Sequence, residues 1–291
     1  MESIGTIAQE LSEKFGIETP KTPEEDAAFT LKAMQDIAEI TNRQWGRLDK
    51  YDGYNCPKCK NRGEFMVVLH TKDLRDKNGN PYPFNYPFTT MQECECKQKR
   101  LSYERSRASG LPEGYEMSNF YARNDWQKRM KEMAQNYMQA KAWRDGKWVY
   151  VGGAVGSGKT HLVTALAREL VYERDVRYFN WVRDGEMLKR LKVDGNSQMY
   201  ANYIDVFVHV DVLFIDDFLH GRYTSDADLK LAYDILNDRY LNRLPTLFTS
   251  ELLLSEISDE SISSRIYERA GEYNIAIKRG DSKNQRYSKG A

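Results

Sequence analysis

A glycine-rich segment near the middle of the chain constrains its fold more than any other part of the sequence. The pattern G-x-x-x-x-G-K-[ST] is matched from Gly153 to Thr160, between an apolar run at 147–151 and a helical pattern at 161–172. Glycines let the backbone curl so that successive N–H groups point at phosphate oxygens, and the helix N-terminus adds its positive end. The segment therefore predicts a phosphate-binding loop between a buried strand and a helix.

The residues of this loop have separate expected roles. Lys159 is expected to reach the β- and γ-phosphates of ATP, and Thr160 to place its hydroxyl on Mg²⁺. The predicted nucleotide-binding residues of the loop are Gly153, Ala154, Val155, Gly156, Ser157, Gly158, Lys159, Thr160 and His161.

A second apolar run, at 212–215, ends in two carboxylates, Asp216 and Asp217. Continuous apolar runs of this kind are typical of buried parallel strands, and ligand sites lie at the carboxyl ends of such strands. We expect Asp216 to hold Mg²⁺ and Asp217 to orient or activate the attacking water of a hydrolytic reaction.

A third strand pattern begins at Pro245 and ends in Thr249, Ser250 and Glu251. Any of these three side chains could hydrogen-bond the attacking water or the γ-phosphate. An ordinary strand end, with no role in chemistry, explains the pattern equally well.

The cysteines form two close pairs, Cys56 with Cys59 and Cys94 with Cys96, and the chain has four in all. Two closely spaced thiolate pairs are what tetrahedral Zn²⁺ requires, so a zinc site is predicted. Unpaired buried thiols or a redox dithiol are the alternatives. His70 lies between the pairs and could replace Cys94 or Cys96, although a surface position at a strand end is favoured for it.

Composition excludes several classes of protein. Lys and Arg number 43 and so do Asp and Glu, so a uniformly basic nucleic-acid-binding protein is excluded and any such contact must use a local patch. A mean hydropathy of −0.72 argues against a membrane protein. The segment 1–16 lacks the basic and long apolar regions of a secretory signal, and we expect a cytoplasmic protein.

Four regions are predicted along the chain. Residues 1–52 have helical patterns, including a capping box from Thr22 to Glu25, and residues 53–100 form the zinc-binding module. Residues 101–115 are a basic linker, for which a solvated helix is favoured over a nucleic-acid contact. Residues 116–291 form an α/β domain.

Several motifs together resemble one family. GAVGSGKTHL, VLFIDDF, DILNDRYLNRLPTLFTSE, SSRIYER and a closing N-x-R resemble AAA+ replicative helicase loaders of the DnaC/DnaI type, particularly phage and prophage versions. The similarity covers roughly residues 110–291, and the cysteine module resembles the amino-terminal zinc-binding region of the same loaders.

The resemblance implies a fold, a reaction and partners. The fold would be a three-layer αβα P-loop ATPase core with a central parallel sheet, preceded by a small helical and zinc-binding module. The protein would hydrolyse ATP with Mg²⁺, self-associate through its ATPase domains, and place a hexameric replicative helicase, held by residues 1–100, on single-stranded DNA. In the family, Arg265 would meet the γ-phosphate of a neighbouring subunit, and Arg286 would sense nucleotide in its own subunit.

Residues 181–211 match the region where such loaders contact single-stranded DNA. Lys189, Arg190 and Lys192 are candidate phosphate contacts there, with an ion-paired surface as the alternative. Many relatives carry Asn where this chain has Glu251, which weakens the expectation of a water-sensing role. The competing interpretations are an IstB-like transposition helper ATPase, a class that generally lacks a four-cysteine module, and an ATP-switched adaptor with little turnover.

Overall fold

The computed structural model describes residues 22–44, 46–48, 55–82, 85–220, 224–280 and 284. The chain divides between Arg100 and Leu101 into two compact units. The finer boundaries at residues 52 and 115 stay predictions, and the expected helix before residue 22 and the predicted nucleotide sensor Arg286 lie outside the described residues. Within the described part of the chain, no helix combines the length and apolar character needed to cross a bilayer.

The first unit packs one helix on a two-stranded antiparallel hairpin. Its elements are α1 (Pro23–Gln44), β1 (Glu64–His70) and β2 (Pro87–Glu93). Thr22 and Glu25 exchange two hydrogen bonds of 3.2 Å, which is the capping box that the sequence predicts. Asn42 on α1 bonds both the N–H and the C=O of Met66, at 2.8 Å each, so its amide covers backbone groups on the edge of β1.

The remaining helices and strands are arranged so that one or two helices separate each strand from the next. In order they are α2 (Glu95–Ser109), α3 (Asp125–Gln139), β3 (Val149–Gly153), α4 (Lys159–Leu170), β4 (Val176–Asn180), α5 (Trp181–Val193), α6 (Ser197–His209), β5 (Val212–Asp216), α7 (Asp226–Leu241), β6 (Thr246–Ser250), α8 (Glu260–Ala270) and β7 (Asn274–Ile277). Strands separated by helices in this way are typical of a parallel sheet with right-handed crossovers.

The second unit is a three-layer αβα domain, which confirms the predicted fold. Its five strands are all parallel in the order β4-β5-β6-β3-β7. Side chains alternate between the two faces of each strand, so Phe214 packs with Leu166 of α4 on one face and Ile215 packs with Ile235 of α7 on the other. Both faces are buried, which explains the continuous apolar runs in the sequence.

The strand order brings the predicted motifs to one edge of the sheet. β6 lies between β3 and β5, with Val151 opposite Thr249 and Ile215 opposite Phe248. β4 flanks β5 on its other side, with Asn180 opposite Asp216. Because the strands are parallel, the segments that follow β3, β5 and β6 all emerge at the same carboxyl edge.

Candidate functional site

The glycine-rich loop connects β3 to α4 through backbone conformations that favour glycine. Gly153 has a φ of +111° and Gly158 a φ of +92°, both far from the range that L-residues prefer. A Cβ atom on Gly153 would lie 2.0 Å from the carbonyl oxygen of Ile277, so only glycine fits against β7. The strand, loop and helix are therefore arranged as the phosphate-binding motif requires.

The Lys159 side chain folds back over this loop. Its Nζ donates hydrogen bonds to the carbonyl oxygens of Gly153, at 3.0 Å, and of Ala154, at 2.8 Å. Only 6% of the residue is exposed. The ammonium is thus held at the turn that, in the predicted site, surrounds the phosphates.

Asp216 at the end of β5 is the centre of a hydrogen-bond network. Its Oδ1 accepts from the hydroxyl of Thr160 at 2.9 Å and from that of Thr249. Its Oδ2 accepts from the hydroxyl of Tyr178 at 2.8 Å. Burial and the neighbouring carboxylate raise the pKa of Tyr178, so the phenol stays protonated as a donor. These three donors compensate for the burial of a carboxylate that is only 4% exposed.

Asp217 follows directly and has a left-handed backbone conformation, with a φ of +56°. Its N–H donates to the Thr249 hydroxyl at 3.0 Å, so the same threonine fixes both aspartates. Burial, followed by the charge of Asp216, raises the pKa of Asp217 above the usual value of an aspartate, although His220 partly opposes this. A carboxylate with a raised pKa is a better proton acceptor than an ordinary one.

The three candidates at the end of the third strand differ in their surroundings. Thr249 is bonded to the aspartates, and Ser250 donates to the carbonyl oxygen of Phe218 at 2.7 Å and accepts from the N–H of Leu252 at 3.0 Å. Glu251 instead lies beside His220, with 3.8 Å between its Oε1 and the imidazole Nδ1. Of the three, only Glu251 carries a partly exposed side chain, next to the loop after β5.

His161, the last predicted residue of the loop motif, contacts the segment before α3. Its Nε2 lies 2.7 Å from Oδ1 of Asn119, and its ring lies 5.1 Å from that of Tyr115 and 5.2 Å from that of Phe120. Phe120 also comes within 3.3 Å of a Cβ built on Gly158. Residues 115–120 therefore pack against the start of α4, which sequence analysis did not predict.

Arg265 lies apart from this network. It is on α8, and its guanidinium lies over the rings of Tyr233 and Tyr240 on α7. Its one hydrogen bond within the described residues runs from Nη1 to the carbonyl oxygen of Ser261 at 2.7 Å. Within one subunit, Arg265 contacts neither Asp216 nor Lys159, the residues with which it is expected to act at the γ-phosphate.

In the first unit, the structure gathers the four cysteines into one cluster. The Sγ atoms of Cys56, Cys59, Cys94 and Cys96 lie within 4.8 Å of one another. Cys56 and Cys94 are 3.7 Å apart, and Cys59 and Cys96 are 3.2 Å apart. A zinc ion with Zn–S bonds of about 2.3 Å places its four sulfurs about 3.8 Å apart, so the cluster has the dimensions of such a site.

The surroundings of the sulfurs also suit a cation. The N–H of Gly63 points at the Sγ of Cys59 at 3.3 Å. Burial acts to raise the pKa of Cys56, but hydrogen bonds involving Cys59, Cys96 and Lys58 outweigh it and lower that pKa to about 7. Burial raises the pKa of Cys94 and of Cys96, so without a cation these thiols keep their protons.

His70 does not belong to this cluster. It is the last residue of β1, paired with Pro87, whereas the cysteines adjoin the opposite end of the hairpin, where Glu64 pairs with Glu93. The expectation of a surface position is only partly correct, because the Nδ1 of His70 is buried and has no hydrogen-bond partner in the described part of the chain.

Asn61 organises the cysteine turn and was missed by sequence analysis. It has a φ of +69°, and its Oδ1 accepts from the N–H of Cys56 at 3.0 Å and from Arg100 at 3.1 Å. The tolerance of asparagine for the left-handed region, within the sequence CPKCKNRG, is the signal that could have identified it. Tyr178, which donates to Asp216, was also missed. Its position two residues before the end of β4 is a weaker sequence signal of a site residue than the signal for Asn61.

Two of the three predicted DNA contacts are engaged within the protein. Lys189 lies 2.6 Å from Glu186 and 2.8 Å from Asp228, and the Nζ of Lys192 lies 2.9 Å from Asp234. The alternative of an ion-paired surface therefore describes both lysines. Arg190 is exposed, and its guanidinium has no hydrogen bond or ion pair within the described residues.

Comparisons with known proteins cover the glycine-rich loop and the two aspartates. A family model described as "IstB-like ATP binding protein" matches residues 89–273, which include the glycine-rich loop, both aspartates and Arg265. The "Uncharacterized protein YqaM" of Bacillus subtilis (strain 168) is 32% identical over 307 residues, 88% of this chain and 93% of that protein. "Phage-like element PBSX protein XkdC" of the same strain is 30% identical over 248 residues, 77% of this chain and 83% of that protein.

One solved structure, titled "Crystal structure of the DnaC helicase loader", is similar with a TM-score of 0.47 and 23% identity. The similarity covers 54% of this chain and 93% of that chain.

Proposed function

Since the chain belongs to the family of IstB-like ATP-binding proteins and is a P-loop AAA+ ATPase, we propose that ATP and Mg²⁺ bind at the edge where β3, β5 and β6 end. The observation that carries this proposal is the hydrogen bond of 2.9 Å between Thr160 and Asp216. A hydroxyl and a carboxylate from two different elements are thereby within reach of one cation.

The proposed roles follow from the chemistry of each group. Backbone N–H groups of the loop bind phosphate oxygens, except that of Ala154, which donates to the carbonyl oxygen of Ile277 at 2.9 Å. Lys159 exchanges its carbonyl partners for the β- and γ-phosphates. Thr160 and Asp216 hold Mg²⁺, which neutralises charge on the β- and γ-phosphates when it is bound.

Asp217 is the proposed partner of the attacking water. It orients the water and accepts its proton while the water oxygen bonds to the γ-phosphorus and the bond to the bridging oxygen breaks. Thr249 holds the backbone of Asp217 and the carboxylate of Asp216 together, so the distance between the two acids is fixed before substrate arrives.

Arg265 acts in the same reaction from a neighbouring subunit. An arginine that stabilises the transferring phosphoryl group accelerates such reactions by several orders of magnitude. Because Arg265 contacts none of the residues around Asp216 in its own subunit, delivery to a neighbour is the arrangement we propose. Arg286 is proposed to sense the nucleotide within its own subunit.

Substitution of Lys159 tests the nucleotide site. We expect Lys159→Ala to abolish ATP binding, measured by titration calorimetry, since no other ammonium within the described residues occupies this turn. Lys128→Ala is the matched control, because Lys128 is exposed and its one ion pair among the described residues is with Asp125. An unchanged affinity of Lys159→Ala for ATP would refute the assignment of the loop.

We also propose that the four cysteines hold one structural Zn²⁺. The spacing of the sulfurs and the N–H directed at Cys59 support this. All four positions are filled by thiolates, which leaves no open coordination site for a substrate, so the ion would stabilise the fold of the first unit.

The wider function that we propose is ATP-dependent loading of a hexameric replicative helicase onto single-stranded DNA. The order of sequence motifs supports it, and so does the presence of a compact cysteine-containing unit separate from the ATPase unit. In this proposal the first unit holds the helicase, and the ATPase unit binds DNA and nucleotide.

Capture of the helicase by the intact protein tests this division. We expect the double variant Cys59→Ser with Cys96→Ser to lose retention of purified replicative helicase and to keep ATP binding. We expect Lys159→Ala to lose ATP binding and to keep retention of the helicase. If the intact protein retains no helicase with any nucleotide, helicase loading is the wrong function.

A second candidate is a transposition helper that recruits a transposase to DNA. The match to the IstB-like family model favours it, whereas the four-sulfur cluster favours the loader. Nucleotide-dependent binding of double-stranded DNA without any affinity for a helicase would support the helper.

A further inference from the structure

The guanidinium of Arg265 rests on two aromatic rings of α7. Its Cζ lies 5.3 Å from the ring centroid of Tyr233 and 5.5 Å from that of Tyr240. Such distances are those of cation–π contacts. A cation–π contact consumes no N–H group, so these contacts leave the donors of Nη2, which form no hydrogen bond within the described residues, available to a ligand.

The side chain forms no close ion pair within the described residues. Hydrogen bonds from Ser261 and Ile262 lower the pKa of Asp259, and the more distant charge of Arg265 adds to this effect. Nη1 donates to the carbonyl oxygen of Ser261, and Nε is buried without a hydrogen-bond partner. Arg105 on α2, by comparison, pairs with the carboxylate of Asp175, in the loop before β4, at 2.9 Å. Arg265 is instead held by two rings and one carbonyl, and no carboxylate is bonded to it within the described residues.

The two rings are not equivalent. Tyr240 is fixed from several sides, because its hydroxyl donates to Glu268 at 2.7 Å and its ring also contacts Arg269 at 4.7 Å and Trp148 at 6.4 Å. Tyr233 is 43% exposed, and within the described residues its ring makes a cation–π contact with Arg265 and no aromatic contact. Tyr233 can therefore be changed with little effect on the packing of α7 and α8.

We propose that Tyr233 and Tyr240 are positioning residues for Arg265, which hold its guanidinium in place without a bonded carboxylate until it meets the γ-phosphate of the neighbouring subunit. This inference rests on the proposed role of Arg265 between subunits. A free arginine loses side-chain entropy when it is ordered in a complex, and a side chain already held by two rings loses less. The rings thus favour the catalytic arrangement without themselves contacting the nucleotide.

Mixed assemblies test this inference. Arg265→Ala subunits keep an intact nucleotide site but supply no arginine, and Asp217→Asn subunits supply the arginine but are expected not to hydrolyse ATP. Turnover in a mixture of the two can arise only where an Asp217→Asn subunit serves an Arg265→Ala subunit. Tyr233→Ala is then added either to the Asp217→Asn subunit, which is the donor of the arginine, or to the Arg265→Ala subunit, which is the acceptor. The values of kcat and KM for ATP are measured for each mixture.

We expect Tyr233→Ala in the donor to lower kcat of the mixture by about 2- to 5-fold with KM unchanged, and the loss to be larger than with the same change in the acceptor. Tyr233→Phe in the donor should restore the rate, because it keeps the ring. Tyr267→Ala, which removes an exposed tyrosine from the same helix as Arg265, is the matched control.

Each other outcome has a defined meaning. Equal losses with Tyr233→Ala in donor and acceptor, or no loss in either, would overturn the positioning role while leaving the action of Arg265 between subunits intact. A mixture of Arg265→Ala and Asp217→Asn that recovers no activity at any ratio would overturn both that action and this inference.

Discussion

The hydroxyl of Thr160, in the first turn of α4, donates a hydrogen bond of 2.9 Å to Oδ1 of Asp216, the last residue of β5. The two residues are 56 positions apart in the chain. β6 lies between β5 and β3, so this contact spans a strand of the sheet. It joins the two motifs on which the proposed ATPase chemistry depends.

Removing the Thr160 hydroxyl should uncouple nucleotide binding from magnesium. Thr160→Val keeps the shape of the side chain but offers no oxygen ligand, so we expect Mg²⁺ to lose most of its effect on ATP affinity. Thr160→Ser keeps the hydroxyl and serves as the control. The measurement is ATP affinity with and without Mg²⁺, and an unaltered magnesium effect in Thr160→Val would contradict the proposed ligand set.

Asp217→Asn should retain ATP binding and lose turnover. The amide keeps the size of the side chain but cannot accept a proton from water, and loss of a general base typically costs about 100-fold or more in rate. ATP affinity and kcat should be measured on the same preparation, with Asp205→Asn, an exposed residue of α6, as the control. Turnover at the unmodified rate would remove Asp217 from the mechanism.

The cysteine cluster should contain about one zinc per chain when the protein is purified without chelators, as metal analysis can measure. Cys59→Ser should lose the metal because it removes one of four ligands. His70→Ala should retain it, since His70 lies at the far end of the β1–β2 hairpin. Metal-free protein with four titratable thiols would show that the cluster is not a zinc site.

Arg190 should contribute more to single-stranded DNA binding than its neighbours on α5. Lys189 and Lys192 would have to give up Asp228 and Asp234 before meeting a phosphate, whereas Arg190 has no partner to lose among the described residues. We expect Arg190→Ala to reduce the slope of log affinity against log salt by about 0.7. Lys192→Ala is the comparison, and equal effects of the two changes would contradict this assignment.

The parts of the site that follow from local pattern could be predicted from the sequence. The apolar run before Asp216 and the glycines before Lys159 specify a buried strand and a phosphate loop without knowledge of their neighbours. Tyr178 could not be assigned in this way. Its hydroxyl meets Asp216 only because β4 pairs with β5, and strand order depends on packing across the whole sheet.

The same limit applies to residues whose role depends on a partner. The resemblance to loaders predicts a role for Arg265, but it says nothing of the two rings beside it. These rings lie on the preceding helix, α7, where a tyrosine gives no sequence signal of such a contact. Likewise, the sequence around Lys189 and Lys192 indicates a phosphate-binding surface. It does not show that Asp228 and Asp234 on α7, about 40 residues later, pair with these two lysines in the folded protein.

Arg239 is the clearest case of a residue that the sequence did not reveal, and it leads to a prediction about stability. It is fully buried on α7 and donates to the Thr246 hydroxyl and to four carbonyl oxygens, at distances from 2.7 to 3.0 Å. Three of those carbonyls belong to Phe207, Val208 and Val210 at the end of α6, where the helix dipole favours a cation. The guanidinium therefore ties the end of α6 to the start of β6.

Arg239→Met should lower the free energy of unfolding of the second unit by about 3–5 kcal/mol, because the apolar side chain fills the space but leaves buried carbonyls without donors. Arg239→Lys should cost less, since an ammonium can satisfy some of them. Urea unfolding measures both, with Arg129→Met, an exposed residue of α3, expected to change stability by less than about 0.5 kcal/mol. If Arg239→Met were as stable as that control, water would have to replace the guanidinium, and α6 would not depend on it for its position.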